Sequence, residues 1–148
     1  MTAITIRPAT AKDEAAWRAL FAAYIKFYRA EIAEEAVALT WQRILDPTHN
    51  MAGLVAQQAG KVIGICNYLF HDNTWSTKPI CYLEDLYVDP AARGAGAAKA
   101  LIAACEEAAK AKGAFRLYWL TQEYNAPARS LYDTLASRSS LVLYRKPL

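Results

Sequence analysis

A strand, a glycine-containing loop and an alanine-rich helix follow one another between Val88 and Lys99, which reads VDPAARGAGAAK. Glycine lets the backbone adopt conformations that other residues avoid and come close to a ligand. The first N–H groups of a helix have no partner within that helix, so its N-terminus attracts anions. The pattern predicts a loop that holds a pyrophosphate group.

The spacing of the glycines limits which class of phosphate-binding loop this sequence can form. A dinucleotide-binding loop has a third Gly three residues after the second, where this chain has Lys99. A nucleoside-triphosphate loop has Gly-Lys followed by Ser or Thr, which is also missing here. What remains is Arg-x-x-Gly-x-Ala, from Arg93 through Gly96 to Ala98. A strand-to-helix turn without a ligand is the alternative that the loop alone leaves open.

Length and composition limit the function classes. The 148 residues predict one domain, residues 1–148, around one core, and 55% hydrophobic with 21% charged residues is typical of a globular protein. No apolar run approaches the ~20 residues that span a bilayer, and no signal-type segment is visible, which favours the cytoplasm and no membrane partner. The net charge of +3, spread along the chain, argues against nucleic acid binding.

The three cysteines indicate free thiols. Cys66, Cys81 and Cys105 form an odd set without the spacing of metal ligands. Neither His49 nor His71 has a second ligand at a typical spacing. We therefore expect no disulfide framework and no metal.

The periodicity of apolar residues predicts the order β-α-α-β-β-β-α-β-α-β, an α/β (α+β) arrangement. Pro and Gly mark several boundaries, because Pro ends a helix before it and Gly suits the position after a helix. Strands are expected at residues 3–8, 53–58, 61–71, 80–88, 115–121 and 141–145. A first helix is expected from about residue 10 to residue 30, and a second, which includes Val37 and Trp41, ends near residue 46. Further helices are expected at 97–112 and at 125–137.

Two stretches then carry a resemblance to a known family. Tyr82–Val88 reads YLEDLYV, and Asn125–Tyr132 reads NAPARSLY, which is similar to Asn-x-x-Ala-x-x-Leu/Phe-Tyr. With the loop and the element order, they resemble the GCN5-related N-acetyltransferases (GNAT), most closely the diamine (spermidine/spermine-type) acetyltransferases and their bacterial, histone-acetyltransferase-like relatives. The resemblance covers nearly the whole chain. It implies a single-domain fold with a central mixed, mostly antiparallel sheet flanked by helices.

The resemblance implies acetyl-CoA as co-substrate. In the family the strand before the loop is bulged, splays from its neighbour and pairs with the pantetheine arm, and the interruption by Glu84 and Asp85 is consistent with such a bulge. A backbone N–H, for which Leu86 is the first choice, would polarise the thioester carbonyl. The residues assigned to the cofactor are Leu86, Tyr87, Val88, Arg93, Gly94, Ala95, Gly96, Ala97, Ala98, Lys99, Asn125 and Ala128.

Acetyl transfer to an amine needs a group that accepts the amine proton and one that protonates the departing thiolate. Asn125 and Tyr132 lie seven residues apart, about two helical turns, and so share a helix face. In the family the tyrosine of this motif protonates the thiolate, and the resemblance implies the same role for Tyr132. The alternative is that Tyr132 is an ordinary packing residue on the helix. The resemblance points to Glu84 as the base, with Asp85 as rival and a solvated acidic pair as the alternative.

The acceptor pocket is implied by the resemblance as well. In the family the first two helices wall that pocket, which selects Tyr28 and Glu31, and we add Asp85. Aromatic and acidic residues suit a cationic amine, although each can also be a core or surface residue. Cys66 and Cys81 lie in apolar strands without a base, so we expect direct attack in a ternary complex rather than an acyl-cysteine.

One departure from the family concerns the turn after Tyr132. Relatives usually pass through Gly-Phe into the last strand, whereas residues 135–141 contain no glycine. Leu141–Arg145 would form an apolar edge strand, and the resemblance implies a homodimer.

The function predicted is acetyl transfer from acetyl-CoA to a primary amine of a small molecule, either a polyamine or an amino-acid-like compound. A non-catalytic acyl-CoA-binding regulatory module and a domain for another nucleotide are the alternatives.

Overall fold

The computed structural model describes residues 2–148, with Met1 outside them, and forms a five-stranded sheet of order β1-β2-β3-β4-β5. The first four strands are antiparallel neighbours, and β5 runs parallel to β4. This confirms the mixed, mostly antiparallel sheet. The strands are β1 (Ile4–Pro8), β2 (Met51–Gln58), β3 (Lys61–His71), β4 (Ile80–Val88) and β5 (Arg116–Tyr118).

Four α-helices cover this sheet, and their order along the chain is the predicted one. They are α1 (Glu14–Phe27), α2 (Glu34–Leu45), α3 (Ala97–Ala111) and α4 (Ala126–Leu135). Helix α1 ends before residue 30 because Arg29 adopts a left-handed conformation, with φ of 53°. Within residues 2–148, no helix has the length and apolar character that crossing a membrane requires.

The sheet has a core on each side, because successive strand residues point to opposite faces. The α1 face is the side covered by α1 and α2, and the α3 face is the side covered by α3. The buried residues of the α1 face are Trp17, Phe21, Trp41, Ile44, Val55 and Ile65. The α3 face includes Leu101, Leu83 and the three buried free cysteines.

Strand β4 contains one extra residue, which changes the face of everything after it. Asp85 lies opposite Asn67, yet Leu83 lies opposite Tyr68, so Glu84 has no partner in β3. Such a β-bulge interrupts the alternation of side chains. Leu83 and Leu86 therefore both pack towards the α3 face, and Asp85 falls on the α1 face. The bulge expected from the Glu84–Asp85 interruption is present.

The predicted last strand, Leu141–Arg145, is not formed, and this expectation was wrong. Residues 136–148 lie outside helices and strands, with Leu141 84% and Tyr144 91% exposed. An alternating apolar segment becomes a strand only where another strand completes its hydrogen bonds. The predicted strand 115–121 is likewise reduced to Arg116–Tyr118. Strand β5 therefore has only a short edge with which residues 141–145 could pair.

An ion pair between a partly exposed guanidinium and a buried carboxylate holds the start of α1 against β1. Arg7 donates from Nη1 and Nη2 to the two carboxylate oxygens of Asp13, at 2.8 and 2.9 Å. Asp13 also accepts from the backbone N–H of Thr10, at 2.8 Å, and is only 5% exposed. These contacts, that with Arg7 foremost, lower the pKa of Asp13 to about 2.

We predict that Asp13→Asn lowers the free energy of unfolding by about 1–3 kcal/mol at pH 7, because the guanidinium of Arg7 loses its charged partner. Since the pKa of Asp13 is lowered by folding, its contribution is complete above about pH 4 and is lost as the pH falls towards 2. Urea unfolding at several pH values measures this. Glu34→Gln, which removes the exposed ion pair with Arg18, is the control. Equal losses in both variants would contradict the assignment.

Candidate active site

Strands β4 and β5 diverge after three residue pairs. The parallel pairing joins Ile80, Cys81 and Tyr82 to residues 116–118 and then stops. From residue 83 to residue 88, β4 keeps its partner β3, and on its other edge the described residues provide no strand. The backbone N–H and C=O groups on that edge therefore need other partners. The structure brings Leu86, Tyr87 and Val88, assigned to the cofactor, to this free edge.

The loop after β4 is fixed to the strand by Arg93. Its Nε donates to the carbonyl oxygen of Val88 at 3.0 Å, and its guanidinium lies 5.4 Å from the centre of the Tyr87 ring. Gly94 and Gly96 have φ of 92° and 87°, and an added Cβ at either would meet no atom within 4 Å. The left-handed backbone, rather than crowding, is therefore what requires glycine there.

Helix α3 begins immediately after this loop. Gly96 is its N-cap, without a side-chain cap, and its carbonyl accepts from the N–H of Ala100 at 3.0 Å. The N–H groups of Ala97, Ala98 and Lys99 precede the first intrahelical bonds and remain free to bind an anion. Ala97 is buried, and Ala95 is exposed between the two glycines. The predicted anion loop thus has the backbone geometry that its role requires.

Helix α4 lies beyond β5 and carries the predicted acid. Asn125 is its N-cap residue and donates from Nδ2 to Oγ1 of Thr121 at 3.3 Å. The Tyr132 ring, partly buried, meets Trp119 edge-on with ring centres 5.5 Å apart. Desolvation raises the pKa of Tyr132, so its hydroxyl is protonated at neutral pH and can donate. Ala128, also partly buried, lies one turn after Asn125.

The two adjacent carboxylates of β4 have different surroundings. Glu84, at the bulge, is exposed, whereas Asp85 is partly buried. Asp85 accepts from Nδ2 of Asn67 at 3.1 Å, and beside it the Tyr24 hydroxyl donates to the backbone carbonyl of Glu84 at 3.5 Å. Burial is the main reason why the pKa of Asp85 is raised to about 6; the hydrogen bond from Asn67 lowers that pKa, and the charge of Glu84, a smaller effect, raises it. A carboxylate that is ionised at pH 7 with a pKa close to that value suits proton transfer.

Tyrosines surround this carboxylate. Tyr24 of α1 and Tyr28, which follows the end of α1, pack edge-to-face with ring centres 5.0 Å apart, and Tyr28 lies near Thr121, beyond β5. On the other side, Tyr82 stacks on Tyr118 with ring centres 4.7 Å apart. The result is an aromatic wall around the bulge, to which α1, β4 and β5 each contribute.

Glu31 lies elsewhere. It is exposed in the segment between α1 and α2 and lines a surface cavity of about 630 Å³ together with Arg18, Glu34 and Ile32. That cavity shares no lining residue with the group around Asp85. The structure brings Tyr28 and Asp85 together, but not Glu31 with them.

Sequence reasoning missed Asn67 and Tyr118. Asn67 is 3% exposed and contacts both α1 and Asp85. Its signal in the sequence is that it interrupts an apolar run, VIGICNYLF, with one amide. No group of three or more His, Cys, Asp or Glu that could hold a metal occurs within residues 2–148.

The free strand edge, the glycine loop and the helix start define the class of protein. Residues 17–136 match the model of the Acetyltransferase (GNAT) family. A D-amino-acid N-acetyltransferase of Saccharomyces cerevisiae is 33% identical over 145 residues, 97% of this chain and 90% of the relative. An uncharacterised N-acetyltransferase of Bacillus subtilis is 36% identical over 131 residues, 88% of this chain and 87% of the relative.

A solved structure shows the same fold. An aminoglycoside N-acetyltransferase in complex with CoA superposes with a TM-score of 0.84 at 24% identity, over 100% of this chain and 97% of that one. The chain belongs to the GNAT family and is an N-acetyltransferase, which confirms the family, the fold class and the type of enzyme predicted.

Proposed function

We propose that this enzyme transfers acetyl from acetyl-CoA to the primary amine of a small cationic molecule, a polyamine or an amino-acid-like compound, by direct attack in a ternary complex. Residues 1–148 act as one domain in this proposal. The observation that carries it is the placement of Asp85 at the bulge, beside the free edge of β4 and within a wall of tyrosines.

The cofactor assignment follows the backbone. The free N–H groups at the start of α3 and the loop around Gly94 and Gly96 would hold the pyrophosphate. The pantetheine arm would pair with the free edge at Leu86–Val88, with Asn125 and Ala128 on the facing helix. Arg93 braces the loop through Val88 and has an exposed side chain that can also meet phosphate.

The amine must lose a proton before attack, which costs an alkylamine about 4.6 kcal/mol at pH 7. We propose Asp85 as the base and assign Glu84, preferred from sequence, to attracting the cation at the exposed bulge. Asp85 is better suited because burial raises its pKa to about 6. The ammonium first gives one proton to the Asp85 carboxylate, and the freed nitrogen lone pair then attacks the thioester carbonyl carbon.

Tyr132 would protonate the leaving group. When the tetrahedral intermediate collapses, the carbon–sulfur bond breaks and the Tyr132 hydroxyl gives its proton to the thiolate. The nitrogen, positively charged after the attack, then releases its second proton, which restores the Tyr132 hydroxyl. Its raised pKa keeps that proton in place at neutral pH, and the Trp119 contact holds the ring. In this proposal the acid and the base lie on different elements, α4 and β4.

The acceptor class follows from the wall around Asp85. Tyrosine faces and two carboxylates attract a protonated amine and offer little to an anion. The similarity to an enzyme that acts on D-amino acids and to thialysine N-epsilon-acetyltransferases supports an amine on an amino-acid-like or polyamine chain. We place the enzyme in the cytoplasm, where its three buried free cysteines would stay reduced.

We predict that Gly96→Ala weakens CoA binding by about 5- to 30-fold, because an L side chain at its left-handed backbone conformation costs about 1–2 kcal/mol and displaces the loop. Calorimetry measures the dissociation constant. Gly113→Ala is the matched control, since φ is 79° there and no atom lies within 4 Å of an added Cβ. It should lose similar stability and keep its CoA affinity. Equal affinity in both variants would refute the loop assignment.

We predict that Tyr132→Phe lowers kcat by about 100-fold or more with little change in CoA affinity, because the thiolate loses its proton donor. Thiol release from acetyl-CoA with spermidine, putrescine, lysine and an aminoglycoside measures this and identifies the acceptor. Tyr68→Phe, which removes a hydroxyl from the α3 face, is the control and should keep full rate. CoA binding without turnover for any amine would instead indicate a regulatory binding module.

We further propose that the enzyme is a homodimer in which Leu141–Arg145 pairs with a second copy. Its apolar side chains are exposed, and β5 has an edge without a strand among the described residues. We predict that the double variant Leu141→Lys, Leu143→Lys sediments as a monomer where the wild type is a dimer. Leu39→Lys, an exposed position on α2, should remain dimeric. A wild type that is monomeric at ~50 μM would refute this pairing.

A further inference from the structure

Asn67 is a buried polar residue with both ends of its amide occupied. Its Oδ1 accepts from Nε1 of Trp17 at 3.0 Å, and its Nδ2 donates to Oδ2 of Asp85 at 3.1 Å. The residue is 3% exposed and lies in the centre of β3. Burying an amide is unfavourable unless its polar atoms are paired, and here both partners are side chains from other elements.

The chemistry of the partners fixes which way the amide points. An indole N–H can only donate, so the oxygen of Asn67 must face Trp17, and the NH₂ group must then face Asp85. Trp17 is itself held, with no exposed surface, between Phe21 and Trp41 at ring-centre distances of 4.8 and 5.0 Å. The rigid core under α1 therefore fixes Trp17, Trp17 fixes the orientation of the Asn67 amide, and that amide contacts the Asp85 carboxylate.

The pairing register between β3 and β4 places Asn67 and Asp85 in direct contact. Asn67 lies opposite Asp85 at the bulge, so the two side chains project from neighbouring positions on the same face. The other titratable groups around Asp85 are Tyr24 of α1, Tyr28 just after it, and Tyr82 and Glu84 of β4. Among these neighbours, Asn67 is the donor that comes from the strand partner and cannot ionise.

We infer that Asn67 is a positioning residue for Asp85, and that Trp17 fixes Asn67 in that role. The inference deepens the proposed function and rests on Asp85 being the base. Asn67 holds Oδ2, which limits the carboxylate to one orientation and favours its ionised, proton-accepting form. Asn67 does not touch the amine in this assignment, and it acts through Asp85 alone.

Asn67→Leu tests the inference, because leucine keeps the volume and removes the donor. We expect kcat to fall about 10-fold with CoA affinity unchanged, and the acidic limb of the kcat/KM profile to move to higher pH, since the lost hydrogen bond favours the ionised form. Carbon-13 NMR of the aspartate carboxyls gives a readout without activity. The step near pH 6 that vanishes in Asp85→Asn should move upward in Asn67→Leu.

Trp17→Phe is the second variant, because it removes the indole N–H that orients the amide and leaves Asn67 in place. It should move both readouts in the same direction as Asn67→Leu, and it carries the test if Asn67→Leu does not fold. Trp41→Phe is the control, since it alters the same aromatic cluster without contact with Asn67 and should move neither readout.

The outcomes distinguish the positioning role of Asn67 from the proposed function, in which Asp85 is the base. An unmoved Asp85 titration in both Asn67→Leu and Trp17→Phe overturns the positioning role, whatever the activity. Full turnover in Asp85→Asn, or no amine-dependent turnover in the wild type, overturns the proposed function instead. An upward NMR step together with an unmoved acidic limb overturns the role of Asn67 in catalysis.

Discussion

The extra residue in β4 is the constraint on which the rest of the site depends. Cys81 and Leu83 before the bulge, and Leu86 and Val88 after it, all pack towards α3. Strict alternation would place Asp85 in that same apolar core, where an unpaired carboxylate is strongly destabilising. The bulge at Glu84 moves Asp85 to the opposite face, where Asn67 donates to it. One residue thereby preserves the core and places a carboxylate on the α1 face, beside Asn67.

The divergence of β4 and β5 supplies the second requirement, a place for an extended ligand. A free strand edge is usually a liability in a folded protein, because its N–H and C=O groups can pair with another chain. Here it is short and leads into the glycine loop before α3. Backbone groups and a helix start, rather than charged side chains, form most of this cradle.

The chemical groups of the site differ in protonation because their surroundings differ. Burial keeps the proton on Tyr132 and is the main reason why the pKa of Asp85 is raised, whereas the hydrogen bond from Asn67 lowers the pKa of Asp85. An acid and a base can then coexist at pH 7. The buried amide of Asn67, unfavourable alone, is accommodated because Trp17 and Asp85 satisfy it.

The loop from Val88 to Lys99, the helices and the element order could be read from the sequence, because capping, glycine conformation and apolar periodicity are local properties. The sequence does not show which of the two adjacent carboxylates, Glu84 or Asp85, is buried, because the pairing register between β3 and β4 decides which of them faces the interior. Asn67 was overlooked for the same reason: its importance comes from residues 50 positions before it and 18 after it. The strand predicted at Leu141–Arg145 failed because strand formation needs a partner that local pattern cannot supply. The sequence by itself determined the local elements and the anion loop, and only the tertiary structure decided which side chains share the gap between β4 and β5, because that depends on pairing between distant segments.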